Sequence, residues 1–300
     1  MKDEILAVDT IDQYNKLFGQ ETLHPLVSVV DFSRAQPHTY GRMNLGFYAV
    51  FLKEVKCGDL RYGRQYYDYQ EGTVVCIAPG QVVGVESSGE PIQPRGFGLI
   101  FHPDLIRGTQ LGREIRSYSF FSYESREALH LSEAERRIFL DCLEKIRAEL
   151  HHDIDKHSKR LIVRNIELLL DYCTRFYDRQ FITRADVCHD TVSRFEGLID
   201  DYFRSGEAER RGVPTVRYFA DKVCLSPNYF GDLIKKETGK TAIEYIQLKM
   251  LAVAKERLAG TTQTVTEIAY GLGFQYPQHF SRLFKKNTGL TPNEYRRGLN

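Results

Sequence analysis

The chain has 300 residues, with 41 Lys and Arg against 40 Asp and Glu, and 42% of its residues are hydrophobic. This length favours two domains, and this composition excludes a disordered or fibrous protein because each domain can bury a core. No apolar run approaches the roughly 18 residues of a membrane span, and the start MKDEILAVDT lacks the basic and apolar stretches of a secretory signal. We therefore expect a cytoplasmic protein that does not contact membranes.

Up to about residue 125 the sequence alternates short hydrophobic runs with turn residues. The runs are rich in Val, Ile, Tyr and Phe, and Gly, Pro, Asp and Ser separate them, a pattern typical of strands joined by tight turns. They are LVSVVDF, FYAVFLKEV, RQYYDY, TVVCIAPGQVVGVE and GFGLIF. Their regular spacing predicts an antiparallel barrel or sandwich, with no helical stripe in this part of the chain.

The hydrophobic period changes at Ser132, which forms an S-x-x-E capping box with Glu135, the signature of a helix start. Apolar residues then recur at three- and four-residue spacing over two stretches. The polar segment HHDIDKHSK separates them and is more typical of an interhelix loop than of a metal site. The sequence thus predicts two helices over about 131–178 that fold back on each other and offer a dimer face.

Residues 178–190 have no hydrophobic period and predict a junction between a first domain, 1–180, and a second domain, 190–300. From Val213 to the end there are 13 Lys and Arg against 7 Asp and Glu, a net charge of +6, which leaves −5 for the rest. A basic C-terminal block indicates a polyanionic partner there and a different task upstream.

The C-terminal part contains an internal repeat. The stretch TVRYFADKVCLSPNYFGDLIKKETGKTAIEY recurs 49 residues later as TVTEIAYGLGFQYPQHFSRLFKKNTGLTPNEY, with one extra residue near its centre. Each copy predicts a short helix, a tight turn and a longer helix, which is a helix-turn-helix unit. Ala220 and Ala269 are small where the two helices of a unit must approach closely. Gly273 permits the unusual backbone of the turn, and Cys224 holds that place in the first copy.

The longer helix of each copy has an apolar face and an opposite polar face that is free to enter a DNA groove. In the second copy the polar face offers Gln278, Ser281 and Arg282. Arg can bind guanine O6 and N7, and Gln can bind adenine N6 and N7. The first copy offers Asn228 and Asp232. Since a carboxylate facing DNA is unfavourable except against a cytosine amino group, we expect the second unit to make more base contacts.

Lysine pairs end both longer helices, Lys235 with Lys236 and Lys285 with Lys286, and their recurrence predicts phosphate contacts; ordinary solvated helix ends are the alternative. Between the copies, the apolar residues Ile243, Ile246, Met250, Ala254 and Leu258 predict one linker helix with a buried stripe over Thr241–Leu258, roughly 27 Å long. Such a helix suits two recognition helices that enter successive major-groove segments, about 34 Å apart.

The stretch TVTEIAYGLGFQYPQHFSRLFKKNTGLTPNEYRR resembles the DNA-binding domain of the AraC family of bacterial transcription regulators, and the resemblance covers residues 190–300. The N-terminal strands, with the segment APGQ after a hydrophobic run, are similar to the cupin-type sensor domain of many members. The resemblance implies a two-domain α+β protein. An antiparallel, cupin-like β-barrel over about 1–125 with a helical hairpin would precede an all-α domain with two helix-turn-helix motifs joined by a linker helix.

The resemblance also implies the function. Family members bind double-stranded promoter DNA, usually as homodimers, respond to an effector, and recruit or obstruct RNA polymerase. Arg61, Arg64, Tyr66 and Tyr67 are candidates for lining a small-molecule effector pocket, because aromatic walls with a few charged groups suit small polar ligands. An exposed barrel surface is the alternative interpretation of these four residues.

Two other functions fit parts of the pattern. The barrel could serve dimerisation alone in a ligand-independent regulator, or it could be a cupin-type enzyme that the helical domain tethers to DNA. No His occurs in Gly63–Ser88, where such an enzyme needs clustered ligands, and no nucleophile elbow, P-loop or dinucleotide fingerprint appears. The six cysteines form no CxxC pair. We therefore expect no catalytic residue, no metal and no cofactor.

Overall fold

The computed structural model describes residues 5–35, 41–54, 60–62, 72–85, 93–124, 127–153, 155–183 and 185–298. The chain divides into two units, residues 1–183 and 184–300. All the described strands lie in the first unit, and the described part of the second unit is helical. The predicted α+β class, with a β-rich first part and a helical second part, is confirmed.

The described strands of the first unit form two sheets. Four strands pair in the order β1-β3-β7-β5 and five in the order β2-β8-β4-β6-β9. The strands are β1 (Ile5–Val8), β2 (Val27–Asp31), β3 (Arg42–Leu45), β4 (Tyr48–Lys53), β5 (Leu60–Tyr62), β6 (Thr73–Ile77), β7 (Val82–Val85), β8 (Gly96–Phe101) and β9 (Leu129–His130).

The described residues do not form the closed antiparallel barrel that the sequence predicts. The two sheets have no strand in common, and β1 pairs with β3 in parallel while the other described pairs are antiparallel. The spacing of strands and turns predicts how many strands there are. It does not determine which strand edges meet, because the partners of an edge are distant in sequence.

Side chains of both sheets meet in one apolar core. It includes Ala49 and Phe51 of β4, Val83 of β7, and the aromatic residues Tyr14 and Phe47, whose rings are 5.6 Å apart. The alternate residues of β4, Val50 and Leu52, are also fully buried, and so is all of β6. The five-stranded sheet is therefore covered on both faces, which explains why its strands are continuously hydrophobic.

The sequence shows no helical stripe in its first part, yet the described residues there include three short α-helices: α1 (Ile11–Leu17), α2 (Pro103–Ile106) and α3 (Gln110–Glu114). α1 starts with a capping box between Thr10 and Gln13, and it buries Ile11 and Tyr14 in the core. The T-x-x-Q signal was present in the sequence, but its helix is too short to produce a long apolar stripe.

Two long helices complete the first unit, α4 (Glu133–His151) and α5 (Ser158–Thr183). The capping box of Ser132 and Glu135 is confirmed at the start of α4. Arg179 of α5 donates to both carboxylate oxygens of Glu135, at 2.9 and 2.8 Å. Burial alone would raise the pKa of Glu135, but hydrogen bonds from Arg179 and Ser132 outweigh it and hold the pKa below its ordinary value.

The buried Gln180 also fastens α5 to the five-stranded sheet. Its Oε1 accepts from the backbone N–H of His130 at 2.8 Å, and its Nε2 donates to the carbonyl of Ala128 at 3.2 Å. Because both partners are backbone groups beside or within β9, this side chain completes hydrogen bonds that a short edge strand leaves open.

The two units divide after Thr183, within the predicted junction over residues 178–190, and the described residues on both sides of this division are helical. α5 extends to Thr183, and α6 (Ala185–Arg204) begins two residues later. A helix satisfies its backbone hydrogen bonds locally and does not need a hydrophobic stripe along its whole length. The loss of period near residue 180 is therefore no evidence for a loop.

The second unit continues through seven more helices in the described residues. They are α7 (Glu207–Arg211), α8 (Val216–Lys222), α9 (Pro227–Thr238), α10 (Ala242–Gly260), α11 (Val265–Gly271), α12 (Pro277–Thr288) and α13 (Pro292–Arg297). Phe195 of α6 packs edge-on against Phe219 and Phe230, with ring centroids 5.2 and 4.9 Å apart. α6 thus shares a core with the first repeat.

The linker α10 has the length that its sequence predicts. Met250 lies on its buried face. Ile243 was expected on the buried stripe but is 44% exposed, and the neighbouring Ala242 is buried instead.

No helix in the described residues combines the length and apolar character that crossing a membrane requires.

Candidate nucleic-acid interface

Each repeat folds as two helices joined by the same hydrogen-bonded turn. In the first copy the N–H of Leu225 donates to the carbonyl of Ala220 at 2.9 Å, and in the second the N–H of Phe274 donates to Ala269 at 3.0 Å. This six-residue closure is the Schellman motif, which requires a left-handed residue just before the donor. Cys224 and Gly273 occupy that position, with φ of 59° and 89°. Both residues therefore adopt the left-handed backbone that this turn requires.

Gly273 has a second reason to be glycine. A Cβ at this position would lie 2.3 Å from the carbonyl carbon of Gly212 and 2.6 Å from the nitrogen of Val213. The carbonyl of Gly212 in turn accepts from the hydroxyl of Tyr202 on α6, at 2.9 Å. The segment after α7 therefore packs directly on the turn of the second repeat. Ala220 and Ala269 are completely buried, as their predicted role in close helix packing requires.

α12, the recognition helix of the second repeat, separates an apolar face from a polar one. Phe280 and Phe284 are completely buried, and Leu283 between them is half-buried. On the other side Gln278 and Arg282 are exposed, and Ser281 is half-buried. Gln278 and Arg282 are four residues apart, so their side chains lie on one face of the helix. The geometry brings together the three side chains that we predict to contact bases.

α9, the recognition helix of the first repeat, presents a poorer polar face. Its apolar residues Phe230, Leu233 and Ile234 are buried. Asn228 is exposed, whereas Asp232 is half-buried and has an interaction of its own within the chain. The described surface of α9 is therefore less suited to base contacts than that of α12.

The two recognition helices also begin differently. The hydroxyl of Ser226 caps α9 by accepting from the N–H of Tyr229 at 3.2 Å, whereas Tyr276 precedes α12 without a side-chain cap. Tyr276 is 59% exposed, and its ring lies 5.6 Å from the exposed His279, edge to face. We did not select either residue from the sequence. Their places in or before the first turn of a recognition helix, beside Gln278, are the signal that indicates them.

The lysine pairs end α9 and α12 at equivalent places, and all four lysines are exposed. Each pair precedes a capping box that starts the next helix, Thr241 with Glu244 and Thr291 with Glu294. Hydrogen bonds from the capping threonine lower the pKa of both glutamates, with smaller contributions from Lys235 and Lys285. One lysine of each pair therefore lies near a carboxylate, and a helix C-terminus also favours a cation.

Comparisons with known proteins agree with this geometry. A family model described as a helix-turn-helix domain matches residues 219–298. The chain is 26% identical to YijO, an uncharacterized HTH-type transcriptional regulator of Escherichia coli K12, over 75% of this chain and 76% of the relative. It is 33% identical to the arabinose operon regulatory protein of the same strain, over 26% of this chain and 27% of that protein.

The C-terminal part of this chain is an AraC-type helix-turn-helix domain, similar to those of known transcription regulators. A solved structure of the C-terminal domain of AraT, a response regulator from Geobacillus stearothermophilus, is 30% identical, with a TM-score of 0.32, over 36% of this chain and 84% of that one. The chain spans between 14% and 48% of the length of seven other curated relatives that it matches.

In the first unit, the predicted effector pocket is largely beyond the described residues. Arg61 lies on β5, with its backbone opposite Gly84 of β7, and nothing further is described of its side chain. Arg64, Tyr66 and Tyr67 lie outside the described residues. The APGQ segment, by contrast, forms the turn between β6 and β7, where Nε2 of Gln81 donates to the carbonyl of Phe121 at 3.1 Å.

Proposed function

We propose that this chain is an AraC family regulator that binds promoter DNA sequence-specifically through both helix-turn-helix units, and that an effector acting on the first unit modulates this binding. One observation carries the proposal. The turn, the buried apolar face and the capping box of the next helix occur twice at equivalent places, and each recognition helix leaves a polar face uncovered. A repeated fold with two uncovered polar helix faces suits two successive segments of a major groove.

The two units contribute unequally to base recognition in this proposal. Arg282 and Gln278 of α12 bind base edges, with Ser281, Tyr276 and His279 beside them. Asn228 and Asp232 of α9 make fewer or weaker base contacts. An exposed arginine can make a bidentate contact to guanine, whereas a half-buried aspartate is restricted to the cytosine amino group. The selected site should therefore be better defined under the second unit.

Lys235, Lys236, Lys285 and Lys286 position the protein by binding phosphates. Their exposure supports this role, and so does the net charge of +6 in the C-terminal block. Glu244 and Glu294 lie near Lys235 and Lys285, so each of these two lysines has a carboxylate nearby.

The first unit supplies regulation and assembly. We propose that it binds a small anionic or polar effector and pairs with a second copy, so that two DNA-binding units occupy two half-sites. The bound regulator then recruits or obstructs RNA polymerase. A purely dimerising first unit is the competing function. A thermal-shift screen of the full chain separates the two, because a ligand of the native state must raise its stability.

The test of DNA recognition is an in vitro selection from random duplexes, with full-length protein at fixed salt. We expect a motif with two elements about one helical turn, or roughly 34 Å, apart. The better-defined element should lose its preference when Arg282 is replaced. A motif with a single element would contradict the use of both units, and recovery of unselected sequence would contradict sequence-specific binding.

A further inference from the structure

The first unit contains a surface cavity of about 360 Å³ between the start of α3 and the N-terminal half of α5. Its volume lies within the range of small-ligand sites, roughly 300 to 1,000 Å³. Leu111 of α3 and Val163 of α5 are buried beneath it and give it an apolar floor. This cavity is separate in sequence from the run RQYYDY.

The rim of the cavity is strongly basic. Lys156, Lys159, Arg160 and Arg164 line it, with Glu167 as the one lining carboxylate. Glu167 pairs with Arg164 at 2.5 Å, so these two charges compensate each other. Lys156, Lys159 and Arg160 are exposed and form no ion pair with any residue that the structure describes. The cavity therefore carries three uncompensated positive charges.

The nearest acid in the sequence does not neutralise these cations. Oδ1 of Asp155 accepts from the backbone N–H groups of His157 and Ser158, at 2.7 and 3.0 Å. These hydrogen bonds, the first of them the largest cause, lower the pKa of Asp155, and its carboxylate is committed to the first turn of α5. Asp155 forms no ion pair with the three cations among the described contacts, so their charged groups remain available to a ligand.

Three cations over an apolar floor select a ligand by its chemistry. We propose that this cavity binds a small molecule with at least two negative groups, carboxylate or phosphate, on a short apolar body. A DNA duplex is a poorer occupant, because its backbone cannot enter a cavity of this volume and an apolar floor offers nothing to phosphate. The cavity lies in the first unit, apart in sequence from both recognition helices.

The same cavity is the effector site of the regulator, an assignment that rests on the proposed function. A ligand held between α3 and α5 restrains α5, and α5 is the last element of the first unit, ending where α6 of the DNA-binding unit begins. Ligand binding can therefore act on DNA binding through the helix that connects the two units in sequence.

The experiment is calorimetric titration of the full-length protein with pyrophosphate and with citrate, at constant ionic strength. We expect at least one of these probes to bind saturably. The double variant Lys159→Ala with Arg160→Ala should lose at least about tenfold in affinity, because charge-assisted contacts are lost. Arg175→Ala removes an exposed cation from the same helix, outside the cavity, and should bind the probe as the natural protein does.

Three results would overturn the inference. The first is that neither probe binds at millimolar concentration, although three cations at the cavity should bind a small polyanion. Alternatively, the double variant binds the probes as tightly as the natural protein. Or the double variant binds DNA more weakly without any probe and with a smaller salt dependence, which would make these residues DNA contacts. A failure of the DNA-binding proposal is distinguishable, since it removes sequence preference while probe binding remains.

Discussion

At the scale of single residues, substitutions at the two left-handed turn positions, Gly273 and Cys224, should affect stability differently. Gly273→Cys should reduce the free energy of unfolding of the second unit by about 3 kcal/mol or more, because strain adds to the overlap with Gly212. Cys224→Gly should change it by less than about 1 kcal/mol, because relief of strain offsets the greater freedom of the unfolded chain. Urea unfolding measures both. Equal effects of the two variants would show that the contact with Gly212 is unimportant.

Arg282 is the residue on which the specificity of α12 depends in our proposal. Arg282→Ala should weaken binding to the selected site by about 1 to 3 kcal/mol and relax the preference at one base pair. Arg217→Ala removes an exposed arginine from α8 and should leave the preference for every base unchanged. Competition binding with single-base variants of the site measures the effect. An unchanged preference after loss of Arg282 would show that α12 does not face the bases as we propose.

At the scale of elements, the lysine pair at the end of α12 should act on all sequences alike. Lys285→Ala should weaken specific and unspecific DNA equally and reduce the slope of log K against log salt concentration by about 1, because one phosphate contact is lost. Lys145→Ala, an exposed lysine of α4 in the first unit, serves as the control. Titrations at several salt concentrations give the slope. An unaltered slope would favour the alternative that Lys285 interacts with Glu294 and with the C-terminus of α12, and does not contact a phosphate.

The buried side chain of Gln180 helps to attach α5 to the sheet, beside the hydrogen bond from Arg179 to the carbonyl of His130. Gln180→Leu leaves the N–H of His130 and the carbonyl of Ala128 without their partner, which should cost the first unit about 2 to 4 kcal/mol of unfolding free energy. Arg175→Leu, an exposed change on the same helix, should cost less than about 0.5 kcal/mol. Denaturant unfolding compares them, and similar stabilities would mean that other contacts hold α5 in place.

At the scale of the whole molecule, assembly and recognition should separate between the two units. Selection with residues 184–300 alone should return one copy of the two-element motif, and full-length protein should return that motif duplicated. The physical reason is that the proposed dimer contact belongs to the first unit. Duplication by the shorter protein would place dimerisation in the helical unit. A single motif from the full-length protein would contradict a dimer on DNA.

The candidate site was predictable from the sequence to the extent that its signals are local. The repeat, the turn residues Gly273 and Cys224, and the apolar positions Phe280 and Phe284 all appear where their spacing predicts. Leu283 and Ile243 are more exposed than predicted, because spacing gives the direction of a side chain but not what covers it. Tyr276 and His279 were missed because they carry no periodic signal.

By itself, the sequence determined the two-part α+β organisation, the duplicated helix-turn-helix and the resemblance of the C-terminal part to AraC-type domains. Each of these rests on interactions within a few residues, such as helix periods, capping boxes and left-handed turn positions. Tertiary structure decided that the strands form two sheets, that Gly273 packs on Gly212, and that α3 and α5 enclose a basic cavity. These features join segments that are far apart in the chain, and no local pattern records which of them will meet.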